Sequence, residues 1–329
     1  MPPDRFRLLI VKTSSLGDVI HNLPVLADLA AARPEITVDW MVEEAYVELL
    51  RMHPGLSRVL GVAQRRWRTE AAGRAAEERK LFFDELRAVE YHAVLDAQGL
   101  LKSALLARRA RLVPEGIRIG PSFASAREPL ARLLYDKGID IPAHQHAVER
   151  LRSLCAKAFG YIVVGPPNFD LCVPSHEFAW LSAKPYVVFL HGTARAEKRW
   201  PIDAFRGLAG RLPENIGIVL PHGTDAEEAD ARRIAEGSRH AIVAPRMTLT
   251  EIAALLNQAS LVVGVDTGLT HLAAALDTPT IALFGATPRW RYAPYWGRDT
   301  HSLGENGQPQ VDEVLLVAEP FIARSDVRV

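Results

Sequence analysis

Arg7-Leu8-Leu9-Ile10-Val11-Lys12-Thr13-Ser14-Ser15-Leu16-Gly17-Asp18 is an apolar run that closes on a lysine and opens into a hydroxyl-rich turn containing glycine. The segment that follows, from about Val19 to Ala32, has the spacing of an amphipathic helix. Strand, glycine turn and helix make the first part of a βαβ unit, and Leu8 to Val11 show no polar alternation, as in a strand covered on both faces. The pattern recurs at Thr37 to Val42 and Ala93 to Leu95, then pauses across the Pro- and Gly-containing stretch Gly160 to Pro174. It restarts at Tyr186 to Leu190, Ile216 to Leu220, Ala241 to Ala244, Leu261 to Val265 and Thr280 to Phe284. Two such series predict an α/β chain of two Rossmann-like domains whose parallel sheets face each other across a cleft. The expected boundaries are residues 1–165 and 166–310, with 311–329 as a final segment. Within that segment Val311 to Arg324 reads as a helix interrupted near Pro320 that returns to the first domain.

Composition sets the outer limits. The chain has 329 residues, 48% hydrophobic and 24% charged, the profile of an ordinary soluble globular protein. Its two cysteines, Cys155 and Cys172, are too few for a disulfide framework and fit a reducing compartment. The first apolar run is shorter than a secretory signal requires, and no stretch approaches the ~20 residues of a transmembrane helix. Lys+Arg and Asp+Glu balance at 39 each, yet residues 1–160 hold 24 against 20 and residues 161–329 hold 15 against 19. Within the positive half, Arg65-Arg66-Trp67-Arg68 gathers charge around an aromatic, either a solvated face or an anion-binding patch.

Ligands of open α/β sheets bind beyond the carboxyl ends of strands, where loops meet helix starts. In Gly264-Val265-Asp266-Thr267-Gly268-Leu269-Thr270-His271 a strand enters such a turn, so its amides and Thr267 either hold phosphate oxygens or belong to a helix capped by Asp266 and Thr267. Lys198, shortly before Pro201, is either a solvated loop lysine or a point charge for a diphosphate. Asp18 is either an N-terminal cap or a carboxylate able to take a proton from an attacking hydroxyl. Gly-x-Gly-x-x-Gly, P-loop and Gly-x-Ser-x-Gly motifs are missing, which disfavours a nicotinamide dehydrogenase, an NTPase or an α/β-hydrolase. His144-Gln145-His146 lacks a third obvious metal ligand, and no Asp-x-Asp element offers itself to a divalent cation.

The segments Leu9 to Pro24, Val42-Glu43-Glu44, Arg65 to Arg68, Asp96 to Ser103, Ala126 to Leu130, Gln145 to Arg150 and Val265 to Leu272 form an ordered set. Together they resemble the ADP-heptose:lipopolysaccharide heptosyltransferase family of GT-B glycosyltransferases, on the side of its type I members. The resemblance implies an inverting, metal-independent transfer that uses no cofactor. Heptose would move from ADP-L-glycero-β-D-manno-heptose to the first Kdo of Kdo2-lipid A, at the cytoplasmic face of the inner membrane, with peripheral membrane contact and no role for nucleic acid.

By position in the family, Asp18 matches the catalytic base, and Lys198 and Thr193 match residues near the donor diphosphate and sugar. Glu227 matches the carboxylate on the donor ribose, Met247 the adenine contact, and Asp266 the heptose contact. Thr267, Gly268 and Leu269 match amides that meet phosphate, with His271 completing the donor motif. Ser15, Gly17, Arg65, Arg66, Arg68, Gln98 and Lys102 fall in the acceptor-binding part. Ala194 departs from the family, which can carry a second threonine there, and nothing carries over around Trp290 to Gly304. A transferase acting on a later core sugar, a nucleotide-sugar epimerase and a silent sugar-nucleotide-binding protein are the competing readings. The complete Ser-Leu-Gly-Asp context of Asp18 disfavours the silent version.

Overall fold

The computed structural model describes residues 6–181, 185–305 and 307–326. The chain divides into two compact units, Met1–Cys172 and Val173–Val329. In the first, strands β1 (Phe6–Val11), β2 (Ile36–Glu43), β3 (Arg58–Val62), β4 (Glu90–Asp96), β5 (Arg111–Pro121) and β6 (Lys137–Ile139) form a parallel sheet. Its order is β3-β2-β1-β4-β5-β6. Leu8 to Val11 are fully buried at its centre, because helices cover both faces of a strand in that position. Leu9, Val11, Met41, Leu60 and Val94 pack one face against Phe82, Leu86 and Leu106 from the helices Ala72–Arg87 and Leu101–Arg109.

The second unit repeats this plan. Strands β7 (Tyr186–Leu190), β8 (Gly217–Leu220), β9 (Ala241–Val243), β10 (Leu261–Val265), β11 (Thr280–Leu283) and β12 (Thr300–Leu303) form a parallel sheet in the order β12-β11-β10-β7-β8-β9. Numbered within their own units, both sheets read 3-2-1-4-5-6, the doubly wound order in which ligands bind where the strand sequence reverses. The reversal lies between β1 and β4 in the first unit and between β7 and β10 in the second. Four loops are thereby selected: those after Val11, Asp96, Leu190 and Val265.

Three sequence expectations change. The helix from Val19 to Ala32 is two helices, Leu16–Ile20 and Pro24–Ala32, since Pro24 has no N–H for a continuous ladder and suits the first position of a new helix. The final helix, Val311–Asp326, runs through Pro320 without interruption. Its Val314, Ala318, Phe321 and Ile322 are buried in the core of the second unit, alongside Phe205 and Ile281. Residues 327–329 of that segment lie outside the described residues. The boundary between units falls after Cys172, seven residues beyond the expected position.

Candidate active site

At the reversal point of the first sheet the chain leaves β1 through Lys12, Thr13 and Ser14, all buried. Asp18 stands at the third position of the short helix Leu16–Ile20. Its Oδ2 accepts from the Ser15 N–H at 3.0 Å and the Ser15 hydroxyl at 3.1 Å, which is the acidic arm of a capping box. The other oxygen, Oδ1, lies 3.6 Å from Lys12 Nζ, and 34% of the Asp18 side chain is open to solvent. Burial pushes the Asp18 carboxyl up, but the Lys12 ammonium, the Ser15 N–H, His21 and the Ser15 hydroxyl together bring it below its usual value. Cap and charged group are therefore one side chain, with one oxygen engaged by the helix start and the other beside an ammonium.

The β4 turn supports this loop. Gln98 Oε1 accepts from Thr13 N–H at 3.0 Å and Ser14 N–H at 3.3 Å, while Gln98 Nε2 donates to the Ser14 carbonyl at 2.6 Å. Gln98 is held in turn by Asp96, whose Oδ1 accepts from the N–H groups of Gln98 and Gly99 at 2.8 and 3.2 Å. Asp96 Oδ2 accepts from Ser103 Oγ at 2.8 Å and the Tyr135 hydroxyl at 2.6 Å. Burial raises the Asp96 carboxyl against the pull of these four hydrogen bonds.

At the reversal point of the second sheet Asp266 follows β10 and is 6% exposed. Its Oδ2 accepts from Lys198 Nζ at 2.6 Å, and its Oδ1 lies 3.1 Å from His271 Nε2. Burial alone would raise the Asp266 carboxyl; His271 and Lys198 overcome it and hold the group well below the usual carboxylate range. Neither Asp266 nor Thr267 caps the helix Gly268–Ala275 with its side chain, so the capped-helix alternative is not the arrangement observed. Gly264 permits the close approach this turn needs, since a Cβ there would sit 2.2 Å from Thr270 Oγ1. Lys198 ends a short 3-10 turn, Ala196–Lys198, and the next residue but one, Trp200, is buried against Phe205 and donates to the Pro309 carbonyl at 2.8 Å. That anchor fixes the loop carrying the lysine.

Glu227 sits beside the ends of β7 and β8. Its Oε2 accepts from the Gly223 N–H at 2.8 Å, and a Cβ on Gly192 would come within 2.6 Å of its Oε1. Met247 is half-buried in the segment after β9. Because the strands are ordered β10-β7-β8-β9, the carboxyl edge presents, in spatial sequence, Asp266, His191 to Thr193, Gly223 with Glu227, and Met247. Four neighbouring strands span roughly 14 Å.

Comparison with known proteins identifies the family. Glycosyltransferase family 9 (heptosyltransferase) matches residues 79–317. The chain belongs to this family. Lipopolysaccharide heptosyltransferase 1 of Escherichia coli is 45% identical over 285 residues, covering 85% of this chain and 88% of that protein. The solved structure of E. coli heptosyltransferase WaaC with ADP superposes with a TM-score of 0.86 at 40% identity, covering 96% of this chain and all of the other. WaaC with ADP-2-deoxy-2-fluoro heptose gives a TM-score of 0.82 at 41% identity, with coverages of 96% and 99%.

In this family 9 glycosyltransferase the nominated residues fall into three groups. Lys198, Asp266 and His271 are in direct contact, followed along the same sheet edge by Thr193, Glu227 and Met247. Thr193 is half-buried, and the neighbouring Ala194 is exposed. Ser15, Gly17 and Asp18 share one loop, but Gln98 has both its amide oxygen and its amide nitrogen committed to that loop's backbone. It is a clamp rather than a group open to an acceptor. Lys102 is half-buried on the helix that follows the clamp.

The arginine patch divides as well. Arg66 bonds Glu44 at 2.9 Å, Glu70 at 2.8 Å and Glu78 at 2.7 Å, so it is a structural hub and not an open anion binder. Trp67 is buried and donates to Glu78, which leaves Arg65 and Arg68 exposed. The sequence places Lys12 and Asp96 at strand ends without giving either a role, and it does not single out Tyr135. The position of Lys12 at the end of a central strand was the available signal; the union of Asp96 with Tyr135 crosses 39 residues and has no local signature.

The clamp carries a prediction. Gln98→Ala frees the Thr13 and Ser14 backbone and is expected to lower kcat about ten- to a hundredfold, with the donor KM changing less than about twofold. Gln98→Glu fails to rescue, because a carboxylate cannot donate to the Ser14 carbonyl. Steady-state kinetics of the two variants checks this; equal losses in kcat and donor affinity would assign Gln98 to folding alone.

Proposed function

We propose that this family 9 glycosyltransferase moves L-glycero-D-manno-heptose from ADP-heptose to the first Kdo of Kdo2-lipid A, with inversion at the anomeric carbon. The observation that carries the reading is the order of groups along the second sheet's carboxyl edge. Met247, Glu227, the Thr193 loop with Lys198, and Asp266 succeed one another over a length suited to adenine, ribose, diphosphate and sugar. The identity with lipopolysaccharide heptosyltransferase 1 and the similarity to WaaC with an ADP-heptose analogue support the same donor.

In the proposed step the acceptor hydroxyl oxygen bonds to the anomeric carbon as the bond from that carbon to the diphosphate oxygen breaks. The electron pair leaves on ADP, and the hydroxyl proton goes to Asp18. Lys198, with the Gly268 and Leu269 amides at a helix start, stabilises charge building on the diphosphate without requiring a divalent cation. Arg65 and Arg68, exposed in the first unit, suit the carboxylate and phosphates of the acceptor. Among the described residues no helix is long and apolar enough to cross a membrane. On the proposed reading the acceptor is membrane-borne, and the protein meets it peripherally at the cytoplasmic face of the inner membrane, as in the family it resembles.

The deciding experiment supplies purified protein with ADP-heptose and Kdo2-lipid A and identifies the product by mass. One heptosyl unit is expected on Kdo, with ADP released only when both substrates are present. Transfer confined to a heptosylated acceptor would favour a later core sugar; ADP release independent of any acceptor would favour an epimerase or hydrolase.

A further inference from the structure

The surface of the first unit carries a second feature that the transfer chemistry does not use. The helix Leu101–Arg109 buries Ser103, Ala104, Leu106 and Ala107 and turns Leu101, Leu105, Arg108 and Arg109 to solvent. Beside it runs the 3-10 helix Pro129–Leu134, which packs inward through Ala131 against Ala104 and leaves Leu130 and Leu133 outside. Phe123 extends the same area, with the Arg132 guanidinium 5.9 Å from its ring centre. These five large apolar side chains are 38% to 68% exposed, whereas isolated exposed leucines are ordinary and a contiguous group is not.

Charge accompanies the apolar face. Residues 100–137 hold eight Lys or Arg and three Asp or Glu, a net +5 that exceeds the +4 of residues 1–160 as a whole. Two of the three acids are engaged, Asp136 with Arg118 and Glu128 with the Leu101 N–H at 2.7 Å. Arg108, Arg109, Arg127 and Lys137 from the same stretch are exposed, Arg109 with its guanidinium 5.4 Å from the Phe83 ring centre. The face is also tied to the active-site loop: Glu128 N–H donates to the Gly99 carbonyl, one residue from the Gln98 clamp.

We infer that this face seats on an anionic lipid surface, the leucines and Phe123 entering the headgroup boundary and the arginines and lysine contacting lipid phosphates. Leucine flanked by Arg and Lys is the chemistry of an interfacial element, adding apolar burial to attraction by anionic lipid. A second copy of the chain fits less well, because in a two-fold dimer the face would meet itself and oppose like charges. The inference rests on the transferase reading for its purpose, since seating this face would hold the Asp18 loop at the surface that carries the acceptor. Its physical content is independent of that reading.

The test is sedimentation of the full chain with phosphatidylcholine vesicles, with and without phosphatidylglycerol, in the absence of donor and glycolipid acceptor. Binding is expected on the phosphatidylglycerol vesicles and weakened by high salt. Leu105→Ser/Leu130→Ser/Leu133→Ser and, separately, Arg108→Glu/Arg109→Glu are expected to lower binding about tenfold or more, with unchanged melting temperatures. Both variants keep kcat within about twofold on a deacylated, water-soluble Kdo acceptor and lose rate on vesicle-borne acceptor. Vesicle binding equal to that of the unsubstituted protein overturns the inference, as does a dimer that the leucine substitutions dissolve while vesicle binding is absent. Vesicle binding without transfer to either acceptor leaves the inference standing and removes the proposed function instead.

Discussion

Asp18→Asn is expected to lower kcat at least about a hundredfold while the affinity for ADP stays within about threefold. The asparagine keeps an oxygen that can accept from the Ser15 N–H and hydroxyl, so the helix start retains its cap, but it cannot take a proton. If Asp18 served only as a cap, this variant would be nearly silent and Asp18→Ala would lose stability rather than rate. Measuring kcat and melting temperature on both variants separates the roles. More than about a tenth of the original kcat in Asp18→Asn would end the assignment as base, since general bases contribute typically 10²-fold or more.

The pH dependence follows from the same geometry. The Asp18 carboxyl lies below its ordinary 3.8, so the ionised, proton-accepting form prevails above that value and any acid limb due to this group falls below it. Lys12 is the strongest of the groups drawing it down, after burial has pushed it up. Lys12→Ala is therefore expected to move the acid limb to higher pH in a pH-rate profile, the direction required when a favourable positive charge is removed.

Much of this architecture is legible in the sequence for a physical reason. Leu8 to Val11, Tyr186 to Leu190 and Leu261 to Val265 lie at sheet centres, where both faces are covered and only apolar residues fit. The runs are therefore unbroken, and their ends mark the loops that the topology selects. Strand β5 escapes notice because Arg111, Pro114, Glu115 and Arg118 interrupt it, its first half being largely accessible. The site is less legible than the sheets. Asp18 and Lys198 stand out by type and place, but whether an amide faces substrate or its own backbone depends on partners 84 and 85 residues away, as with Gln98. Arg66 likewise reads as open charge until Glu44, 22 residues earlier, is brought beside it.

Lys198→Ala is expected to reduce kcat/KM for the donor about a hundredfold or more and to weaken ADP itself about tenfold, a pattern that Asp18→Asn does not share. The ammonium has three N–H groups, and Asp266 takes one at 2.6 Å, leaving the others for phosphate oxygens. Asp266 is thus the residue that aims the lysine, and Lys198→Arg is a poor substitute because a planar fork occupies the position differently. The same ion pair supplies a stability readout. With Lys198 removed, the buried carboxylate keeps His271 alone, and the loss is expected to be about 1–3 kcal/mol near neutral pH. Asp266 has its folded value depressed below an unfolded value near ~3.9, so its contribution is fully present above that pH and fades as pH falls toward the folded value. The difference in melting temperature between the two proteins should accordingly hold at neutral pH and begin to shrink only below about pH 4. Calorimetry over that range tests the pair, and titration with ADP tests the phosphate role. A stability loss with unchanged ADP affinity would make Lys198 the partner of Asp266 and nothing more.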